Sequence, residues 1–173
     1  IYDNSGVIGK LESSLCNYFG SKKSVLFNSG TSALFSLYFA ANLKPGDEVI
    51  CPAYTFFATV TPLFFTGAVP VLADCNERGN IDPEEIKNKI TPKTKAVMVT
   101  HMWGIPCDMD KIVSICKENN LLLFEDISHA FGAKYKDQLV GTFGIASACS
   151  LQSQKVLTGG EGGFILTNND EIY

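Results

Sequence analysis

The sequence predicts an α/β fold of three layers (αβα), a mostly parallel sheet covered by helices on both faces. Two observations carry this expectation. Short apolar runs, too apolar to face water on either side, alternate with longer segments of helical period in the order βαβα. Turn-forming Gly, Pro, Asn and Asp residues fall between them. In such a fold, ligand chemistry belongs at the carboxyl ends of the strands.

Val7, Ile8, Leu11, Leu15, Tyr18 and Phe19 recur at helical spacing and Gly20 supplies a C-cap, which predicts a helix from Val7 to Tyr18. Ser24 to Phe27 reads as a short buried strand, Asn28-Ser29-Gly30 as a turn, and Thr31 to Asn42 as a helix. Pro45-Gly46-Asp47 turns the chain into a second buried strand, Glu48 to Cys51, which Pro52 ends. Phe56 to Phe65 is apolar throughout, and its length together with Gly67 predicts a helix rather than a strand. Val69 to Ala73 is the next strand. Asp82 is placed as an N-cap, with Pro83 at the first helical position and Glu84 and Glu85 in the first turn, so a short helix runs from Pro83 to Ile90. Lys95 to Thr100 is a strand, Asp108 to Asn119 a helix with Met109, Ile112, Val113 and Cys116 on one face, and Leu121 to Phe124 a buried strand. Beyond Asp126 the segments shorten to Ala146–Leu151 and Gly163–Thr167, separated by the glycine-rich stretch Thr158 to Gly163.

The chain has 173 residues, of which 46% are hydrophobic, enough for one domain that needs neither disulfide nor structural metal. With 14 basic and 18 acidic residues the net charge is −4, which argues against a nucleic-acid partner while leaving room for a small anion held by backbone N–H groups. The six cysteines are widely spaced without a CxxC pair and read as buried thiols in a reducing cytoplasm. No signal-peptide pattern is present, and no apolar run reaches the roughly 18 to 20 residues that would cross a membrane. A cytoplasmic chain with no membrane partner is expected.

Three places could carry chemistry. Asn28-Ser29-Gly30-Thr31-Ser32 lies where a strand gives way to a helix, so free N–H groups, hydroxyls and the positive end of the helix dipole converge as in a phosphate site. An ordinary capped helix would show the same residues. Glu125-Asp126 delivers a carboxylate pair to the ligand edge, where one carboxylate could hold a protonated ring nitrogen, or merely cap a turn. Lys155 stands in a region with few other charges; a desolvated lysine can form a Schiff base with a carbonyl, whereas a solvent-facing one does nothing. His101 and His129 are the only histidines and lack closely spaced partners, so no metal site is expected. Trp103 reads as core or interface packing. Gly6-Val7-Ile8-Gly9-Lys10 lacks the spacing and the preceding strand of a nucleotide loop.

Together these pieces resemble the DegT/DnrJ/EryC1/StrS sugar aminotransferase family of fold type I pyridoxal-phosphate enzymes. The resemblance runs through Gly9-Lys10-Leu11-Glu12, Phe27-Asn28-Ser29-Gly30-Thr31-Ser32-Ala33-Leu34, Pro45-Gly46-Asp47-Glu48-Val49-Ile50 and Tyr54-Thr55-Phe56-Phe57-Ala58-Thr59. It continues in Thr91-Pro92-Lys93-Thr94-Lys95-Ala96, Glu125-Asp126-Ile127-Ser128-His129-Ala130-Phe131-Gly132-Ala133, Ser150 with Lys155, and Gly160-Glu161-Gly162-Gly163.

The resemblance implies pyridoxal 5'-phosphate as cofactor. Gly30, Thr31 and Ser32 would hold its phosphate with help from Ser150, and Phe56 would cover one ring face. Asp126 would pair with the ring nitrogen, and Lys155 would join the cofactor as a Schiff base. His129 falls where Gln or His is common near the ring oxygen or opposite face, and Gln152 where His is common. The implied reaction is amino transfer from a donor such as glutamate to a nucleotide-linked keto sugar, in amino-sugar and polysaccharide synthesis. A dehydratase branch carries histidine at the lysine position, so Lys155 argues against it. Cyclitol amination, or a catalytically incomplete structural fragment, would fit the same residues. The resemblance also implies a homodimer for the full-length enzyme. Residues 1–173 would then be part of the cofactor-binding large domain, ending shortly after Gly160-Glu161-Gly162-Gly163 and without the smaller carboxyl-terminal domain.

Overall fold

The computed structural model describes residues 6–173. Helix α1 (Gly6–Phe19) turns Leu15 and Phe19 inward and stops at Gly20, whose φ of 68° lets the Ser21 N–H reach back to the Cys16 carbonyl at 3.1 Å. Strand β1 (Lys23–Phe27) leads through Asn28 and Ser29 into α2 (Gly30–Ala40), which ends where Asn42 adopts a φ of 54°. There follow β2 (Glu48–Pro52), β3 (Val69–Ala73), α3 (Pro83–Lys89), β4 (Thr94–Thr100), α4 (Met109–Glu118) and β5 (Leu122–Asp126). As expected, Asp82 caps α3, accepting the Glu84 N–H at 2.9 Å. Strands β8 (Ala146–Ser150) and β9 (Gly163–Thr167) complete the main sheet, and β6 (Lys134–Tyr135) and β7 (Gln138–Leu139) form a separate small hairpin.

The main sheet has the order β1-β9-β8-β5-β4-β2-β3. Strands β8, β5, β4, β2 and β3 pair in parallel, while β9 is antiparallel to both β8 and β1. Strand β1 therefore runs with the parallel set, and β9 alone runs against it. One edge of the sheet collects the carboxyl ends of every other strand and the start of β9.

Alternation along the strands divides the core into two layers. On one face Leu34, Leu37 and Tyr38 of α2 pack against Val49, Met98, Phe124 and Ile165. On the other, Ile86 of α3 and Ile112 and Ile115 of α4 pack against Ile50, Val97 and Leu123, and α1 places Leu15 and Phe19 against Phe164 and Leu166. Each fully buried side chain of this size contributes about 1.5–3 kcal/mol, so α2 is fixed to the sheet by packing more than by its intrinsic helix preference. No helix among the described residues is long and apolar enough to cross a membrane. All six cysteines are free; Cys51, Cys107, Cys116 and Cys149 are buried, and burial pushes the Cys116 thiol up to about 12 and the other three higher still.

Phe56 to Phe65 departs from the expected helix and forms two short 3-10 turns, Phe57–Thr59 and Thr61–Phe65. Pro62 has no N–H to give to an i−4 carbonyl, and Thr59, Val60 and Thr61 are all β-branched. The segment closes i−3 bonds instead, from Thr59 N–H to Phe56 and from Val60 N–H to Phe57. The hairpin of β6 and β7 also lies outside the sequence expectation; its turn places Lys136, not a glycine, in the left-handed region (φ 54°).

Gly163 lets β9 pass under the start of α2. An added Cβ there would stand 2.5 Å from the Ser29 carbonyl oxygen and 2.6 Å from the Gly30 nitrogen, backbone atoms that cannot swing aside. Gly163→Ala is expected to lower the unfolding free energy by about 1–3 kcal/mol, whereas Gly159→Ala, whose nearest contact is 3.6 Å away, stays within about 0.5 kcal/mol. Urea titration of both variants checks this, and equal stabilities would contradict the close-approach argument.

Candidate active site

Asp126 ends β5 at the collecting edge and is only 4% exposed. Its Oδ1 accepts the Ser128 N–H at 3.0 Å and its Oδ2 accepts the Thr59 hydroxyl at 2.9 Å. Glu125 points to the other face, because successive strand residues alternate. With no exposed surface, its Oε2 accepts the Gly141 N–H (2.7 Å) and pairs with His101 Nε2 (3.1 Å), and its Oε1 accepts the N–H groups of Phe143 (2.7 Å) and Gly144 (2.8 Å). His101 Nδ1 accepts the Cys107 N–H at 3.1 Å, which assigns the ring proton to Nε2 as the donor to Glu125. The pair read in the sequence is thus split, and Asp126 alone serves the edge.

The amino end of α2 lies on the same edge. Ser29, in extended conformation, accepts the Ser32 N–H at 3.0 Å, and the two hydroxyls lie 3.0 Å apart. The first N–H groups of a helix have no partner within it, so Gly30 and Thr31 offer theirs outward. Gly30 is buried against the end of β8; a Cβ at this position would meet Ser150 Cβ at 2.6 Å. Only glycine allows the helix terminus and Ser150 to share one cup. Ser150 is itself held by its N–H, which donates to Ser128 Oγ at 2.9 Å.

Lys155 follows in a turn closed by its own N–H on the Gln152 carbonyl at 2.9 Å, and its ammonium lies 5.8 Å from the centre of the Phe56 ring. The Gln152 side chain is tied into that turn, accepting the Gln154 N–H at 2.8 Å and donating to Ser153 Oγ at 3.1 Å. His129 is half-buried and stacks on Trp103 with ring centres 5.3 Å apart. Its Nδ1 is buried and has no hydrogen-bond partner among the described residues. Burial, then the Lys155 ammonium, hold the His129 imidazole below its ordinary range, partly offset by Asp126. Trp103 departs from the core reading: it is 68% exposed, with a left-handed backbone (φ 56°).

The structure therefore gathers Gly30, Thr31, Ser32, Phe56, Asp126, His129, Ser150 and Lys155 at one sheet edge, and turns the Gln152 side chain back on its own loop. A helix terminus with free N–H groups suits a phosphate, a buried carboxylate suits a protonated ring nitrogen, and the unpartnered His129 Nδ1 suits a polar ring substituent. These donors and acceptors fit one planar phosphorylated heteroaromatic group, with an amine beside it. Sequence reasoning missed Thr59, Thr55 and Thr100, whose hydroxyls lie in line behind Asp126. Threonine within an apolar run carries no spacing signal that separates it from core. Among the described residues no cluster of three or more His, Cys, Asp or Glu side chains could hold a metal. A shallow hollow beside Thr91, Pro92 and Asn120 brings no carboxylate or imidazole together.

This fold and edge define an α/β chain with a mostly parallel sheet and a ligand-sized polar edge at the strands' carboxyl ends. The chain belongs to the DegT/DnrJ/EryC1/StrS aminotransferase family, whose profile matches residues 4–173. It is 44% identical over 147 residues to the GDP-perosamine synthase of Escherichia coli O157:H7, covering 84% of this chain and 40% of that protein. It is 39% identical over 166 residues to the GDP-perosamine synthase of Caulobacter vibrioides, covering 95% and 45%. Among solved structures, an aminotransferase from Psychrobacter cryohalolentis superposes with a TM-score of 0.93 at 38% identity, over 95% of this chain and 42% of that one. A GDP-4-keto-6-deoxymannose-3-dehydratase with a trapped PLP-glutamate geminal diamine gives 0.93 at 32%, over 98% and 46%. The chain thus spans less than half the length of these relatives.

His129 gives a pH signature. Its midpoint in the folded chain lies below the ordinary value of 6.5, so between the two the unfolded chain binds more protons and stability falls as pH drops. Above about 6.5 this contribution is flat. The slope is expected to vanish in His129→Gln, and Lys155→Met should raise the His129 midpoint, as read from the imidazole proton shifts by NMR. A midpoint that does not move would remove the Lys155 contribution.

Proposed function

We propose that this chain is part of a pyridoxal-phosphate-dependent aminotransferase that moves an amino group from an amino-acid donor such as glutamate to a nucleotide-linked keto sugar, in amino-sugar and polysaccharide synthesis. The observation that carries the reading is the convergence, at one sheet edge, of the α2 terminus, the buried Asp126 carboxylate and the Lys155 amine beside Phe56. The relatives named as GDP-perosamine synthases support the substrate class.

In this reading the N–H groups and hydroxyls of Gly30, Thr31 and Ser32, with Ser150, bind the cofactor phosphate. Asp126 would pair with the ring nitrogen, Phe56 would cover one ring face, and His129 would serve the ring oxygen or the opposite face. Gln152 stands nearby and serves the site only if its amide leaves the turn it now closes. When bound, pyridoxal phosphate supplies an electron sink for the carbanion at the substrate carbon. Lys155 would hold the cofactor through its Nζ amine, and the same amine would serve as the base that accepts the proton leaving the substrate carbon. A primary amine at position 155 favours amino transfer over dehydration, because an imidazole cannot form a Schiff base.

Residues 1–173 are then part of a cofactor-binding large domain, and the enzyme is cytoplasmic and homodimeric. An exposed aromatic group supports a second subunit against this face: Phe35 and Phe39 of α2 stack 6.4 Å apart, and Phe65 meets Phe35 at 5.9 Å.

The test uses the full-length protein with pyridoxal phosphate. A visible absorbance band is expected to form, to be lost in Lys155→Ala together with at least about a hundredfold in turnover, and to bleach with glutamate as the keto acid is released. Mass spectrometry of nucleotide-linked keto sugars after turnover then identifies the acceptor. A folded full-length protein that gains no band overturns the reading.

A further inference from the structure

Behind Asp126 the structure places three threonine hydroxyls in a row. Thr59 Oγ1 donates to Asp126 Oδ2 at 2.9 Å, Thr59 and Thr55 Oγ1 lie 2.9 Å apart, and Thr55 and Thr100 Oγ1 lie 3.0 Å apart. A hydroxyl has one proton to give. Since Thr59 gives its proton to the carboxylate, Thr55 must donate to Thr59, and Thr100 in turn to Thr55. Every proton in the row points towards Asp126. Thr59 has no exposed surface and Thr100 is 3% exposed, so water does not compete at either position.

The row is held from three elements. Thr100 ends β4 directly opposite Asp126 in the parallel register. Thr55 and Thr59 come from the segment that forms the 3-10 turn, and the Thr59 carbonyl accepts the hydroxyl of the buried Tyr38 of α2 at 2.6 Å. The helix whose terminus forms the phosphate cup therefore also fixes the turn that carries Thr59.

We propose that Thr59, backed by Thr55 and Thr100, is a positioning residue that holds Asp126 as an oriented acceptor for the ring nitrogen of the cofactor; this rests on the function proposed above. With Ser128 N–H on Oδ1 and Thr59 on Oδ2, the carboxylate cannot rotate away, and its remaining acceptor capacity is directed outward over the site edge. Hydrogen bonds that run in one direction polarise one another, so the row strengthens the contact at its end. Removing the hydroxyl frees the carboxylate and weakens its grip on a protonated ring nitrogen. It leaves the phosphate cup and Lys155 untouched.

The test compares two ligands in the full-length protein, pyridoxal phosphate and its 1-deaza analogue, in which carbon replaces the ring nitrogen. Thr59→Val keeps the side-chain shape and removes the hydroxyl; Thr59→Ser keeps the hydroxyl. Thr59→Val is expected to weaken pyridoxal phosphate by about tenfold and the analogue by less than about twofold, while Thr59→Ser binds both like the parent. Thr55→Val, one step further back in a partly exposed position, should lose about threefold with the same ligand selectivity, and it carries the comparison if Thr59→Val does not fold. Equal losses for both ligands, or no loss for either, overturn the proposal while leaving the cofactor reading intact. A parent protein that binds neither ligand overturns both.

Discussion

The end of β5 carries two adjacent carboxylates, and a strand cannot direct neighbours to the same side. Much else in the molecule follows from where each one goes. Glu125, with no exposed surface, requires donors, and it finds them in the N–H groups of Gly141, Phe143 and Gly144 and in His101. These bonds fasten the loop that leads into β8. Gly144 is needed at that contact, because a Cβ there would lie 2.3 Å from the Leu123 carbonyl oxygen. The lead-in sets the start of β8, and β8 sets Ser150 and the turn of Lys155. Asp126 is left to face the edge, with one buried carboxylate anchoring the scaffold for the other.

The direction of the strands has a similar consequence. Six strands deliver their carboxyl ends to one edge, and β9 begins there and returns. Inserting one reversed strand between β1 and β8 keeps the helix that follows β1 close to the end of β8. That closeness demands glycine twice, at Gly30 against Ser150 and at Gly163 against the Ser29 backbone. Both positions exchange a side chain for proximity, and the result is a helix terminus with free N–H groups beside a serine hydroxyl.

Helices with marked ends are legible in the sequence: Gly20 after α1, and Asp82 with Pro83 at the start of α3. So are the strands, since short apolar runs between turns have few other ways to fold, although β1, expected to be buried, lies half-buried at the sheet edge. Phe56 to Phe65 misleads because apolar character does not specify the backbone: Pro62 and three β-branched neighbours govern it, and Phe56, Phe57, Phe64 and Phe65 stay exposed. The motif positions Gly30, Asp126 and Lys155 are legible as residues that the fold brings to one sheet edge. The Glu125 network is not, because besides His101 its partners are backbone N–H groups sixteen to nineteen residues away, and any sequence supplies those. The hydroxyls of Thr55, Thr59 and Thr100 meet only when β4 and the turn after β2 are packed together. The size of Trp103 suggests core or interface packing, and its exposure at the edge removes the first of these.

The edge as it stands is buried from below and open from above. Asp126 and Thr59 are enclosed, yet Phe56 is 53% and Trp103 68% exposed. An ion pair at about 4 Å contributes roughly 1 kcal/mol in bulk water and about 4 kcal/mol at an effective dielectric of 20. The threonine row orients the carboxylate from beneath but does not displace water from the side that meets a ligand. Whatever covers Phe56 and Trp103 therefore multiplies the strength of the Asp126 contact without touching Asp126. A lid of apolar surface, from a second subunit or from further chain, acts on the chemistry of this edge through the dielectric as much as through any residue it brings.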